Sequence, residues 1–92
     1  MNQEKAIVIL NIPERSFSED IEVPLDITAN DLVNALNQAY LLGIDITDIK
    51  NCYLKSEQPI ALLKGNKTLA QFGLRNGSII IASDRNENGK QI

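Results

Sequence analysis

Histidine and tryptophan are absent from these 92 residues, cysteine occurs once, and the aromatics amount to two tyrosines and two phenylalanines. Without histidine the chain lacks the commonest general base near neutral pH and the commonest metal ligand, so an enzyme is not expected. A lone thiol, Cys52, permits no intramolecular disulfide and no four-thiolate zinc or iron–sulfur site. No basic cluster adjoins it in sequence, and its expected use is packing in a reducing compartment. Long apolar runs are also missing. Nothing approaches the roughly 18 residues of a membrane span, and polar Met1–Lys5 leads straight into an aliphatic stretch unlike a signal peptide. A cytoplasmic protein with no direct membrane insertion is the expectation. The net charge of −3, with both signs interspersed, offers no basic stripe for nucleic acid.

The carboxylates that are present make weak candidates for a site. Asp45 with Asp48, and Glu19 with Asp20 and Glu22, lack the spaced glycine and closing glutamate of a calcium loop. Gly65-Asn66-Lys67-Thr68 has the last residues of a phosphate loop without its first glycine or a long following helix. No catalytic residue, cofactor or metal is therefore expected.

What the chain does have is aliphatic content, in a length that suits one domain burying roughly 60% of its surface. Thr28 to about Leu42 is the only stretch with a sustained helical period. Leu32, Val33, Leu36, Ala39 and Tyr40 recur on one side, with Asn30, Asn34, Asn37 and Gln38 on the other. Thr28 followed by Asp31 is a short capping box, and Gly43 is the expected stop. Leu41 fits neither side: it falls between Asn34 and Gln38, so either the helix frays there or a leucine is exposed. Before the helix, Lys5–Ile12 reads as a central strand and Phe17–Val23 as a strand with one wet face, joined through Pro13–Ser16 as a hairpin. After it, Ile44–Asn51 reads as a loop packed by Ile44, Ile46 and Ile49. Cys52–Lys55 and Pro59–Leu63 read as short strands around a turn at Ser56–Gln58. Thr68–Leu74 is a compact turn, Asn76-Gly77 a tight one, and Ser78–Ser83 a last strand. Residues 1–83 are thus the expected domain, and polar residues 84–92 the expected mobile tail.

Two segments carry a resemblance to a known family. Thr68-Leu-Ala-Gln-Phe-Gly-Leu74, before a polar turn and an aliphatic strand, is similar to the turn preceding the last strand of ubiquitin-like proteins. Asp20-Ile-Glu-Val-Pro24, with Leu32-Val33 at the helix start, resembles the second strand and helix start of the bacterial YukD and EsaB proteins, ubiquitin-like components encoded with type VII secretion systems of Gram-positive bacteria. The likeness spans about Lys5 to Ser83. It implies an α+β, ubiquitin-like β-grasp fold, a mixed sheet of four to five strands packed on one main helix. It further implies an accessory or regulatory role in such a system, with cytosolic parts of membrane secretion components as partners. The alternative is a ubiquitin-like interaction module of another complex. The sequence ends Asn88-Gly89-Lys90-Gln91-Ile92 without the diglycine of conjugated relatives, so neither conjugation nor sulfur transfer is expected.

Strand alternation then locates a surface. If Val8, Leu10, Ile80 and Ala82 point inward, Ile7, Ile9, Ile79 and Ile81 point outward. First and last strands are neighbours in a β-grasp sheet, so these four isoleucines are expected to form one aliphatic patch for a protein partner, with closure of a weak homodimer as its other use.

Overall fold

The computed structural model describes residues 4–84. The elements follow the order β1 (Lys5–Ile12), a 3-10 turn (Pro13–Arg15), β2 (Phe17–Pro24), α1 (Ala29–Tyr40), β3 (Leu54–Glu57), β4 (Ala61–Leu63), α2 (Leu69–Phe72) and β5 (Ile79–Ile81). The five strands make one mixed sheet in the order β2-β1-β5-β3-β4, with β5 parallel to β1 and the other pairs antiparallel.

Local sequence explains both helix starts. Thr28 Oγ1 accepts from the Asp31 N–H while Asp31 accepts from the Thr28 N–H, each at 3.1 Å, so two of the helix's unpaired donors are satisfied reciprocally. The same device recurs at Thr68 and Gln71, where the sequence suggested only a turn, and it opens the short helix α2. Thr28 and Thr68 also form an isolated bridge, and the Leu69 and Ala70 N–H groups donate to the Ile27 and Leu25 carbonyls. The two helix starts therefore lie side by side under the sheet.

The buried face of α1 consists of Ala29, Leu32, Val33 and Leu36. It packs against the inward residues of the strands, among them Val8, Leu10, Ile12, Leu54, Leu63 and Ile80, all at most 1% exposed. Ala39, expected on this face, is exposed, and Tyr40 is half-buried, meeting Phe17 edge to face at 5.4 Å between ring centres. The helix also stops earlier than the glycine suggested. Tyr40 is its last residue, and Leu41 takes the left-handed conformation (φ 53°) and donates its N–H to the Asn37 carbonyl. Leu41 is accordingly both past the helix and exposed.

The loop after α1 corrects another expectation. Ile44 is buried, but Ile46 and Ile49 project outward, because Asp45 and Asp48 close two successive turns. The Asp48 and Asn51 N–H groups donate to the Asp45 and Asp48 carbonyls. Asn37 holds the loop to the helix by donating from Nδ2 to the Ile44 carbonyl (2.8 Å) and accepting at Oδ1 from the Ile44 N–H (2.9 Å). Ile46 and Ile49, with half-buried Cys52, line a depression beside Asn34 and Lys64.

Strand ends differ by a residue or two from the sequence reading. β3 runs on through Ser56, whose hydroxyl is buried and donates to the Pro59 carbonyl at 2.7 Å. A polar residue expected in a turn thus sits on the inner face, and the turn moves to Gln58–Ile60, with a cis peptide at Gln58–Pro59. Buried Ser78 pins that turn from the other side, donating to the Gln58 carbonyl at 2.6 Å and accepting from the Arg75 N–H at 3.0 Å. The expected tail from Asp84 onward lies outside the described residues except for Asp84 itself, which accepts from Arg15.

Candidate protein-binding face

One face of the sheet carries α1, and the other carries no helix. Register decides which residues share the outer face, since directly paired residues project to the same side. Glu22 is paired with Ile7. Asp20, Ile9, Ile79 and Glu57 follow one another across four strands, and beyond them Ser18, Asn11, Ile81, Lys55 and Leu62 cross all five. The intervening residues Val8, Leu10 and Ile80 are fully buried.

The four isoleucines expected at the surface are therefore brought together on the outer face. Ile7 is 51% exposed, and Ile9, Ile79 and Ile81 are half-buried by their neighbours on that face. Ile9 and Ile79 are direct partners; Ile7 lies one pair along β1, where its backbone accepts from the Gly77 N–H and donates to Asn76 Oδ1. Sequence reasoning missed two further members. Leu62 is exposed and pairs with Lys55, and Ile60 on the adjoining turn is 90% exposed; both line a shallow groove with Ile81, Lys55 and Glu57. The signal for Leu62 was the same period-two alternation, already present in the expected strand Pro59–Leu63, whereas Ile60 falls on the turn before β4. An aliphatic strip thus runs from Ile7 to Ile81, and Ile60 and Leu62 form a second apolar cluster beyond Lys55 and Glu57 of β3. A contiguous apolar strip with polar borders is a surface suited to another protein rather than to a small ligand.

Nothing in this face offers chemistry. It holds no nucleophile beside a base, and among the described residues no group of three or more histidine, cysteine, aspartate or glutamate side chains is placed to hold a metal ion. No described helix is long and apolar enough to cross a membrane.

A five-stranded mixed sheet in this order, grasping one main helix, defines the ubiquitin-like β-grasp class. The fold is similar to the C-terminal ubiquitin-like domain of mouse tubulin-specific chaperone e, with a TM-score of 0.70 and 12% identity over 94% of this chain and 92% of that one. It is likewise similar to a ubiquitin-like domain from tubulin-binding cofactor B (TM-score 0.68, 18% identity, 91% and 93% covered) and to the UBL domain of Plasmodium falciparum Dsk2 (0.56, 17%, 87% and 100%). At such identities the likeness concerns the fold alone. No curated protein sequence matches the chain significantly. Residues 7–81 match the family described as "WXG100 protein secretion system (Wss), protein YukD", and the chain belongs to that YukD family.

Proposed function

We propose that this protein is a non-catalytic, ubiquitin-like accessory or regulatory component of a type VII secretion system, acting in the cytoplasm by protein–protein binding. The family supplies the secretion context. The observation that carries the mode of action is the aliphatic strip of Ile7, Ile9, Ile79 and Ile81 on the helix-free face of the sheet. Its partners on this reading are cytosolic parts of the membrane secretion components.

Co-purification of the tagged protein from gently solubilised cells of its source bacterium tests both halves. An Ile79→Asp, Ile81→Asp double variant, shown by circular dichroism to be folded, serves as the control. Secretion components that accompany the native protein and are lost with the folded variant are the expected result. Components retained by the variant remove the strip as the binding site and leave the secretion role. If the native protein recovers other complexes but no secretion component, under conditions in which the solubilised secretion complex stays assembled, the protein is an interaction module of another assembly.

A further inference from the structure

The sheet has two edges, and they differ. β4 is three residues long and runs into a loop whose Gly65 exchanges hydrogen bonds with Asn30 of α1. β2 is eight residues long, and only every second one is bonded to β1. Ile7, Ile9 and Asn11 of β1 direct backbone groups to the other side, where they bond with Gly77, Ser78 and Ala82. Ala6, Val8, Leu10 and Ile12 therefore direct theirs to β2, where their partners are Val23, Ile21, Glu19 and Phe17. Ser18, Asp20 and Glu22 alternate with those partners, so their N–H and C=O groups point away from the sheet, and no described residue bonds with them. Backbone donors and acceptors at two-residue spacing along an open edge are a template for a further strand.

The side chains of β2 select what can pair there. Directly opposed residues project to the same side of a sheet, so an added strand sets alternate side chains against Ser18, Asp20 and Glu22 on the helix-free side and against Glu19 and Ile21 on the helix side. Glu19, Asp20 and Glu22 are exposed, and Ile21 is half-buried. Neither β2 nor α1 carries a base. The cations nearest this edge stand off it, Lys5 on β1 opposite Pro24 and Arg15 in its pair with Asp84. A strand hydrogen-bonded to β2 lies about 4.8 Å from it and about twice that from β1, so its first neighbours are carboxylates. A second copy pairing antiparallel through β2 is opposed by the same residues. Centred on Asp20, the pair sets Asp20 against Asp20; centred on Ile21, it sets Asp20 against Glu22, and like charges directly opposite each other destabilise a ladder. Charge on an edge strand thus blocks pairing with copies of itself and leaves the edge open to a strand of opposite sign. We propose that the β2 edge takes up an extended segment of another protein as a sixth strand, with Lys or Arg facing Asp20 and Glu22 and an aliphatic residue facing Ile21. This site is separate from the aliphatic strip of the outer face and does not depend on it.

A capped peptide of about eight residues alternating Lys and Val, the length of an ordinary strand, is the probe. A peptide alternating Glu and Val tests the charge, and the Lys and Val peptide N-methylated at the backbone of each Lys tests the pairing. Amide hydrogen exchange of the full-length protein is followed by NMR. The Lys and Val peptide should slow exchange at Ser18, Asp20 and Glu22 by about tenfold or more, while Glu19 and Ile21, already bonded to β1, change little. It should bind about tenfold more tightly than the Glu and Val peptide at low ionic strength, and the N-methylated peptide should give no protection. Asp20→Pro removes the central donor at a position where an edge strand tolerates proline and should abolish binding. Asp20→Asn keeps that donor and should only weaken it. Ile79→Asp, Ile81→Asp leaves β2 untouched and should bind like the native protein.

Peptide binding that leaves exchange at Ser18, Asp20 and Glu22 unchanged, or equal protection by the N-methylated peptide, would overturn strand addition. Equal binding of the Lys and Glu peptides would overturn the charge assigned to the partner. Protection of the three amides in the free protein that rises with its concentration would replace the foreign strand by a second copy, and protection independent of concentration would mean that the chain's own residues cover the edge; either result overturns the proposal. Loss of peptide binding by the folded Ile79→Asp, Ile81→Asp variant would move the site from the β2 edge to the outer strip.

Discussion

Arg15 and Asp84 stand 69 residues apart in sequence, and their side chains meet with Nε 2.7 Å from Oδ2. Arg15 also donates from Nη2 to the Leu41 carbonyl at 3.0 Å, and the Asp84 N–H donates to Glu14 Oε1 at 3.1 Å. The β1–β2 turn is in this way fastened both to the end of α1 and to the chain leaving β5. Both partners keep partial solvent contact, so the pair is worth far less than its length suggests. Arg15→Ala removes the ion pair and the bond to Leu41 together and is expected to cost about 1 kcal/mol. Urea unfolding of the two single variants and the double variant with Asp84→Asn gives the coupling. Strict additivity would show that the ion pair contributes nothing.

Asn37 is expected to matter more, although it looks like an ordinary helix-surface residue. Its amide pairs with both backbone groups of Ile44, a residue whose side chain is buried. Asn37→Ala leaves a partly buried N–H and C=O without partners while the loop remains folded against the core. A loss of about 2 kcal/mol follows. Asn37→Asp keeps the acceptor but sets a carboxylate against the Ile44 carbonyl, so it should not restore stability. Chemical denaturation of both variants, with amide exchange at Ile44 as the local readout, checks this.

Leu41 presents the opposite case, a residue that the fold tolerates rather than uses. It adopts φ 53° with its side chain 70% exposed, and a left-handed conformation costs a non-glycine residue roughly 1 kcal/mol. Leu41→Gly forfeits little burial and relieves that strain, offset partly by the greater entropy of glycine in the unfolded chain. The expected gain is about 0.5 kcal/mol, visible as a rise in Tm of a few degrees. A fall in Tm would mean that the exposed side chain supports the fold through contacts worth more than the strain.

The sequence disclosed those parts of the structure that rest on periodicity. Capping at Thr28, the buried stripe of α1, the hairpin and the alternation along β1 and β5 all follow from spacing, and the family resemblance agrees with the family match over residues 7–81. What stayed hidden depends on particular side-chain-to-backbone hydrogen bonds that no periodicity announces. Gly43 looked like the helix stop, but the Asn37 amide draws Ile44 back against the helix and forces the reversal to Leu41. Ser56 looked like a turn residue because only the folded chain supplies the Pro59 carbonyl that makes its burial tolerable.

Acid should reveal the state of one carboxyl. Asp45 is held below its ordinary value of 3.8 first by the Thr47 hydroxyl, which donates to Oδ1 at 2.6 Å, and then by the Thr47 N–H at 2.9 Å. Because the folded-state pKa lies below the unfolded one, ionised Asp45 favours the fold above about pH 4, and this contribution fades as the pH falls from there through the folded value. Side-chain carbon shifts followed by NMR should place its titration below that of an unperturbed aspartate. Thr47→Val removes the larger influence and keeps the backbone donor, so the titration should move up without returning fully. No movement would assign the shift to the backbone bond alone.

The three consecutive isoleucines of β5 give the sharpest test of how the face is built. Ile80 is fully buried against α1, whereas Ile79 and Ile81 project from the helix-free side. Replacing Ile80 by alanine should cost about 2–5 kcal/mol through lost burial and the cavity left behind. Ile80→Asp adds an unpaired carboxylate to the core and should exceed the whole stability of a small domain, about 5–15 kcal/mol at most. The same substitution one residue to either side meets solvent and forfeits mainly strand propensity and some apolar contact, about 1 kcal/mol. Ile79→Asp and Ile81→Asp should therefore unfold cooperatively at slightly lower denaturant, while Ile80→Asp shows no folded baseline. If all three behave alike, β5 does not hold one register, and loss of binding by the double variant would no longer separate a damaged surface from a damaged core.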